Sequence, residues 1–187
     1  MKPDLTPSPH LAYLLGALLG DGTVFSKGLR NIVSLKVNKY PFAYNVYEAM
    51  KSIGLRPTLR QSKNNHNGTM WLTCATSINF CKWYKSLTPE DIESIAKEYP
   101  LDFLRGFYEA EGNRYYDKHG VLYIKISNKN ARLLDICAKT LGRLGYQCRI
   151  YKQSKQNYYW YVLYVFGTTE EKKRFLNMLS PCIKGVD

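Results

Sequence analysis

The chain has 187 residues, of which 27 are Lys or Arg and 15 are Asp or Glu, giving a formal net charge of +12 at pH 7. Such an excess of positive charge predicts a polyanionic partner, and the lack of a long apolar stretch argues against a membrane protein. The five cysteines form no closely spaced pair, which argues against a zinc ribbon and against a disulfide framework. We expect a cytoplasmic protein with reduced thiols, because the sequence also shows no cleavable signal.

The predicted elements run helix, two strands, helix, two strands and helix, and this order occurs twice. Pro9 begins the first helix and Pro100 begins its counterpart. Second helices are predicted over 41–53 and 131–144, where apolar residues recur at helical spacing and a glycine follows. Turn signals at 27–28, 67–68 and 119–120 separate paired strands. Each half is therefore predicted to form a four-stranded antiparallel sheet with helices on one face.

A short apolar segment that ends in an acid and a glycine occurs in both halves. It reads Leu-Leu-Gly-Ala-Leu-Leu-Gly-Asp-Gly at 14–22 and Leu-Arg-Gly-Phe-Tyr-Glu-Ala-Glu-Gly at 104–112. Small residues four positions apart in each segment permit two helix backbones to approach closely. These small residues are Gly16 and Gly20 in the first segment and Gly106 and Ala110 in the second.

Packing these helices together would place Asp21 and Glu111 side by side at one end of the contact. An anion at a helix C-terminus costs a few tenths of a kcal/mol to about 1 kcal/mol, and two neighbouring carboxylates also repel each other. A local penalty repeated at matched positions favours a functional site, and two converging acids suggest a metal site. The alternative is that Asp-Gly and Glu-Gly are turns that merely end the helices.

The two segments resemble the paired motifs of the LAGLIDADG homing endonucleases in their single-chain form, and most of all the compact intron-encoded members from archaea. The similarity extends from about residue 11 to residue 179. It implies an α+β fold in which two pseudo-symmetric αββαββα halves form a saddle of two antiparallel sheets, joined along the motif helices. The expected division is a first half at 9–87, a linker with a short helix at 88–99 and a second half at 100–181. The usual acid of the family is Asp, so Glu111 departs from the pattern but keeps a carboxylate.

The resemblance implies a site-specific DNA endonuclease that makes a metal-dependent staggered double-strand break at a long asymmetric target, for the homing of its own intron. Asp21 and Glu111 would carry the metal ions, one half directing the cleavage of each strand. The backbone carbonyls of Gly20 and Ala110, water and DNA phosphate oxygens would complete the coordination shells. Oxygen ligands favour Mg²⁺, with Mn²⁺ as a substitute. We expect a monomer that acts as an internal pseudo-dimer on double-stranded DNA and is associated with the nucleoid.

Further polar residues follow the two motifs at matched positions. Asn38-Lys39 and Asn128-Lys129 match the positions where the family places groups that order the attacking water and stabilise the leaving oxygen. The alternative for these pairs is helix capping at a strand-to-helix junction. Arg114 matches a position that is often Lys, and we expect it to give electrostatic support or a phosphate contact, because its guanidinium stays charged.

The sheet face that no helix covers is predicted to carry polar and basic side chains at alternate strand positions. In the major groove Arg pairs with guanine and Gln or Asn with adenine, and a two-stranded ribbon fits this groove. The alternative is an ordinary solvated sheet face. The residues expected on this face are Arg114 and the predicted DNA-binding residues Arg30, Ser34, Lys36, Arg56, Thr58, Arg60, Ser62, Tyr116, Tyr123, Lys125, Gln147, Arg149, Tyr151 and Gln153.

Two other functions of the same fold stay open at this point. One is an RNA maturase that binds its own intron RNA, and the other is a catalytically silent DNA-binding regulator. Loss of either acid would favour these functions, and the sequence keeps both.

Overall fold

A computed structural model of the chain describes residues 2–64, 68–156 and 158–185. The first half and the connection that follows it contain four helices and four strands. Their bounds are α1 (Pro9–Asp21), β1 (Gly22–Lys27), β2 (Arg30–Val37), α2 (Tyr40–Ser52), β3 (Thr58–Asn64), β4 (Gly68–Thr76), α3 (Ile78–Ser86) and α4 (Pro89–Glu98).

The second half repeats the order of the first. Its elements are α5 (Pro100–Glu111), β5 (Gly112–Tyr116), β6 (Leu122–Asn128), α6 (Ala131–Arg143), β7 (Cys148–Lys155), β8 (Tyr158–Val165) and α7 (Thr169–Leu179). The predicted fold class is thereby confirmed, because each half has the order αββαββα and its own antiparallel sheet. The predicted turn at 67–68 falls partly on residue 67, which lies outside the described residues, and β4 begins at Gly68.

Helix ends follow local rules that the sequence shows. The Ser8 side chain accepts a hydrogen bond from the Leu11 N–H, and Pro9 begins α1. Thr88 and Asp91 form a capping box at the start of α4, the short helix expected in the connection between the halves. These caps fix where the chain enters each helix and therefore how the helices lie on the sheets.

The two sheets have equivalent topologies. The strand order is β1-β2-β4-β3 in the first and β5-β6-β8-β7 in the second, and all neighbouring strands are antiparallel. Val33 and Leu35 in β2 are buried towards the helices, as are Ile124 and Ile126 in β6. The alternate residues of these strands lie on the opposite face of each sheet, which we call the open face.

The two halves share their packing through α1 and α5. Leu15 of α1 is buried in the cluster formed mainly by the second half, and Ala110 of α5 packs against the cluster of the first half. Because each motif helix contributes to both cores, the two halves are held together by apolar burial. No helix in the described part of the chain is long and apolar enough to cross a membrane.

Candidate active site

Small residues allow the backbones of α1 and α5 to touch along a contact that we call the seam. A Cβ added at Gly16 would lie 2.8 Å from the Phe107 backbone nitrogen, and one at Gly106 would lie 2.9 Å from the Ala17 backbone nitrogen. A Cβ added at Gly20 would collide with the Ala110 side chain. The close approach expected from the repeated small residues is therefore present.

The two acids lie together at the end of the seam. Asp21 and Glu111 are the last residues of α1 and α5, and a Cβ added at Gly20 would lie 2.9 Å from the Glu111 Cγ. Burial and then the negative charge of Asp21 raise the pKa of Glu111 to about 7. Partial desolvation also raises the pKa of Asp21, although its side chain remains open to solvent. The pair thus has the mutual repulsion that a bound cation would relieve.

Two nitrogen groups offset part of this repulsion. The Asn128 side-chain amide donates a hydrogen bond of 2.7 Å to Glu111 Oε1, and its own oxygen accepts one of 2.8 Å from the Asn130 N–H. The Lys184 ammonium lowers the pKa of both acids. Asn128 therefore takes part in the strand-to-helix junction and also holds Glu111. A role at the junction and a role beside the acid are thus compatible for this residue. Asn130, and not Asn128, caps α6.

The polar pairs after the motifs differ between the halves. Asn38 and Lys39 are exposed where β2 passes into α2, and Lys39 occupies the N-cap position without a side-chain capping bond. Lys129 lies beside an open cavity of about 570 Å³ whose walls include Gly20 and Glu111. Its ammonium is 4.6 Å from the centre of the Tyr158 ring. The catalytic roles assigned to Asn38, Lys39, Asn128 and Lys129 stay predictions.

Two residues of β5 do not lie where the sequence placed them. Arg114 pairs with Ile124 and Tyr116 pairs with Leu122, and both partners are buried beneath the helices. Arg114 and Tyr116 therefore share the helix-facing side of the sheet, and their expected position on the open face is wrong. The physical reason is the register of β5, which begins at a buried Gly112 and so sends even-numbered residues inward.

The open face of the first sheet carries the residues expected there. Ser34 pairs with Cys74, Thr58 pairs with the same Cys74, and Arg60 and Lys36 both pair with Leu72. Arg56 continues this side just before β3, and the parity of the strands places Arg30 and Ser62 on it as well. Thr58 also donates a hydrogen bond to the Cys74 backbone oxygen.

The open face of the second sheet is richer in aromatic rings. Lys125 and Arg149 both pair with Tyr164, Tyr151 pairs with Val162 and Gln153 pairs with Trp160. Because side chains alternate along a strand, Tyr123 shares the open face with Lys125, and Gln147 shares it with Arg149. Sequence reasoning missed the open-face residues Asn113, Tyr115, Tyr158, Trp160 and Tyr164; strand alternation could have found them once the register was known.

None of the described strand residues on either open face is an acid. The basic side chains on this side of the two sheets are Lys27, Arg30, Lys36, Arg56, Arg60, Lys125, Arg149 and Lys155. This arrangement is more specific than the net charge of +12, because it places basic side chains on one side of the two sheets with no acidic strand residue beside them.

Sequence reasoning also missed two residues near the seam. Glu109 of the second motif is 1% exposed, and its carboxylate accepts hydrogen bonds from the Tyr13 hydroxyl and from the Cys182 N–H. Lys184 donates to the backbone oxygens of Glu109 and Ala110. No local pattern marks Lys184, since its partners lie more than 70 positions earlier in the chain.

Comparison of the sequence with models of protein families identifies the family of this chain. The model of the LAGLIDADG-like domain matches twice, at residues 8–87 and at residues 98–179. The chain belongs to the LAGLIDADG-like family. The expectation of two LAGLIDADG motifs in one chain is confirmed, with one motif helix in each matched segment.

Relatives of this LAGLIDADG-like chain include the protein MJ0314 of Methanocaldococcus jannaschii. It is 30% identical over 166 residues, which cover 84% of this chain and 62% of MJ0314. The chain thus spans less than two thirds of the length of this relative.

Solved structures show the same LAGLIDADG fold. The homing endonuclease I-DmoI in complex with DNA and Mn has a TM-score of 0.67 and 22% identity, covering 91% of this chain and 96% of I-DmoI. The N-terminal LAGLIDADG domain of DUF199/WhiA has a TM-score of 0.64 and 14% identity, covering 99% of this chain and 87% of that domain. At these identities the likeness establishes the fold.

The donor groups at the end of the LAGLIDADG seam fit a hard divalent cation. Asp21 and Glu111 supply carboxylates, and Gly20 and Ala110 supply carbonyl oxygens immediately before them. The Ala110 oxygen already accepts a hydrogen bond of 3.1 Å from the Lys184 ammonium, which shows that this position attracts positive charge. In residues 2–64, 68–156 and 158–185, no group of three or more His, Cys, Asp or Glu side chains could hold a metal ion. A cation at the paired acids therefore needs backbone, water or substrate oxygens as well.

Proposed function

We propose that this chain is a site-specific, divalent-metal-dependent DNA endonuclease. The observation that supports this proposal most is the pairing of Asp21 with Glu111 at the end of the seam. The two carboxylates come from different halves, and a Cβ added at Gly20, next to Asp21, would lie 2.9 Å from the Glu111 Cγ. A merely structural helix end does not require two acids to meet in this way, since like charges there cost free energy.

Double-stranded DNA is the proposed substrate. Basic side chains on both open faces, without any acid among the described strand residues, provide phosphate contacts and candidates for base contacts. The first face offers mainly Arg, Thr and Ser, whereas the second offers Tyr, Gln and Arg. We expect the two halves of the target to differ in sequence, because the two reading surfaces differ in chemistry.

Divalent cations are proposed to bind Asp21 and Glu111 together with the carbonyl oxygens of Gly20 and Ala110. When bound, such a cation lowers the pKa of water and neutralises charge that develops at phosphorus. Mg²⁺ is the proposed physiological ion and Mn²⁺ a substitute, and I-DmoI has been solved with DNA and Mn or Ca.

The residues around the acids have distinct proposed parts. Asn128 fixes the orientation of Glu111 through its hydrogen bond of 2.7 Å. Lys129 lines the adjoining cavity and contributes positive charge near a phosphate, and Asn38 and Lys39 occupy the matching positions in the first half. Arg114 supports the site electrostatically from the helix-facing side of β5. One acid from each half suits the cleavage of one strand each, giving a staggered double-strand break.

The proposed biological role of the cleavage is the homing of the intron that encodes the chain. The structurally similar I-DmoI, which is named as a homing endonuclease, supports this proposal. We propose a monomer that uses its two halves as a pseudo-dimer and is located with the nucleoid. The division into halves at 9–87 and 100–181 with a connection at 88–99 is part of this proposal.

Cleavage of a library tests the proposal without knowledge of the target. The purified protein is incubated with circular DNA molecules that carry long random inserts, with Mg²⁺ or with EDTA, and the ends of linear products are sequenced. We expect linear molecules only with Mg²⁺, with staggered ends that define one asymmetric sequence. The Asp21→Asn variant should bind the selected sequence but leave it intact.

Other results would favour the alternatives. Tight binding of a selected duplex without cleavage in Mg²⁺ or Mn²⁺ would contradict the nuclease and favour a DNA-binding regulator. Tight binding of structured intron RNA, together with intact DNA, would contradict it and favour an RNA maturase. Cleavage that survives Asp21→Asn would remove the proposed role of the seam acids.

A further inference from the structure

A lysine that follows α7 reaches the end of the seam. The Lys184 ammonium donates hydrogen bonds to the backbone oxygens of Glu109 at 2.7 Å and Ala110 at 3.1 Å. The Ala110 oxygen is one of the two carbonyls proposed to bind metal. The ammonium therefore occupies part of the space in which a divalent cation would be coordinated.

Several contacts fix the segment that carries this lysine, residues 180–185, which we call the extension segment. The buried Glu109 carboxylate accepts a hydrogen bond of 2.6 Å from the Cys182 N–H and another from the Tyr13 hydroxyl of α1. The Tyr108 hydroxyl donates a hydrogen bond of 3.2 Å to the Lys184 backbone oxygen. Hydrogen bonds from α5 thus hold the extension segment against the seam, and the Glu109 carboxylate that binds the segment is also bound by Tyr13 of α1.

Electrostatic attraction explains why the Lys184 ammonium lies at the end of the seam. The C-terminus of α5 carries partial negative charge and ends in Glu111, with Asp21 beside it, so a cation there is favourable. The Lys184 ammonium acts electrostatically on both carboxylates. A second cation on the Ala110 oxygen would be repelled by the ammonium at this short range.

We propose that Lys184 is the resident counter-ion of the seam acids and that a divalent cation must displace it to reach the Ala110 oxygen. This inference depends on the proposed metal role of the acids. It predicts that the DNA-free protein binds metal weakly and that the Lys184 ammonium leaves the Ala110 oxygen when metal binds. A lysine that only caps α5 would leave the metal affinity unchanged when its charge is removed.

The test measures Mn²⁺ binding to the DNA-free protein, by the loss of the electron paramagnetic resonance signal of free Mn²⁺. Lys184→Met removes the charge and the hydrogen bonds, whereas Lys184→Gln removes the charge but keeps an N–H donor for the carbonyls. Both variants should bind Mn²⁺ about tenfold or more tightly than the unaltered protein. The control, Lys97→Met, removes an exposed lysine from α4 and should leave the affinity unchanged.

The single variant Asp21→Asn, measured beside Lys184→Gln, separates the possible failures. If Asp21→Asn weakens Mn²⁺ binding but Lys184→Gln binds Mn²⁺ no more tightly than the unaltered protein, the role of Lys184 is refuted and the metal site stands. If Asp21→Asn has no effect on Mn²⁺ binding, the metal site itself is refuted. Circular dichroism establishes that each variant is folded, and Lys184→Gln decides the question if Lys184→Met is not.

Discussion

Replacing Gly106 by alanine tests whether close contact along the seam holds the two halves together. The added Cβ would collide with the Tyr13 backbone oxygen and lie 2.9 Å from the Ala17 backbone nitrogen. Both obstructing atoms belong to the backbone of α1, so neither can turn away as a side chain could. The helices must separate, and packing along the seam is lost.

The size of the effect follows from two opposing contributions. Overpacking of a core costs about 1–3 kcal/mol, and a collision with helix backbone belongs at the upper end of this range. Alanine in place of glycine stabilises a helix by about 1 kcal/mol through its higher helix propensity. We therefore expect Gly106→Ala to lower the free energy of unfolding by about 2 kcal/mol, which corresponds to a melting temperature about 4–8 °C lower for a chain of this size.

Gly142→Ala is the matched control because Gly142 also lies within a helix, α6, but has no atom within 4 Å of an added Cβ. The expected change there is stabilisation by about 1 kcal/mol. Thermal unfolding followed by circular dichroism measures both variants. A melting temperature of Gly106→Ala that equals or exceeds that of the unaltered protein would refute a tightly packed seam.

The other predictions concern the site and the DNA surface. Asn128→Ala removes the hydrogen bond that orients Glu111 and should slow cleavage of the selected target about 10–100-fold with little change in DNA affinity; single-turnover rates and gel shifts measure both. An equal loss of DNA affinity would instead make Asn128 a DNA contact. Arg60→Ala should weaken DNA binding and reduce the slope of log affinity against log salt by about 1, whereas Arg174→Ala on α7 should leave this slope unchanged. A titration of affinity against salt with no difference between the two variants would contradict the assigned surface.

The seam was predictable because it depends on backbone properties that the sequence shows directly. Glycines and alanine four positions apart indicate where two helices can touch, and the acid after each segment indicates what lies at the end. The first open face was predictable for a similar reason, since Ser34 lies between two apolar residues of β2 and Thr58 and Arg60 lie on either side of the apolar Leu59 in β3.

The rest depended on register and on distant contacts. A shift of one residue at the start of β5 turned Arg114 and Tyr116 towards the helices and left Asn113 and Tyr115 on the open face. Lys184 reaches Ala110 across 74 positions of sequence, and only the packing of the extension segment against α5 brings them together. No periodicity or local motif specifies a contact of this kind.

The most direct test of the paired-acid site is the cleavage of each strand of the selected target by Asp21→Asn and Glu111→Gln in Mg²⁺. The two strands carry different labels, and binding of the target is measured beside cleavage. We expect both variants to retain binding and to lose double-strand cleavage by more than about 100-fold, because each removes one charged metal ligand. Double-strand cleavage by either variant at the rate of the unaltered protein would contradict an active site built from Asp21 and Glu111.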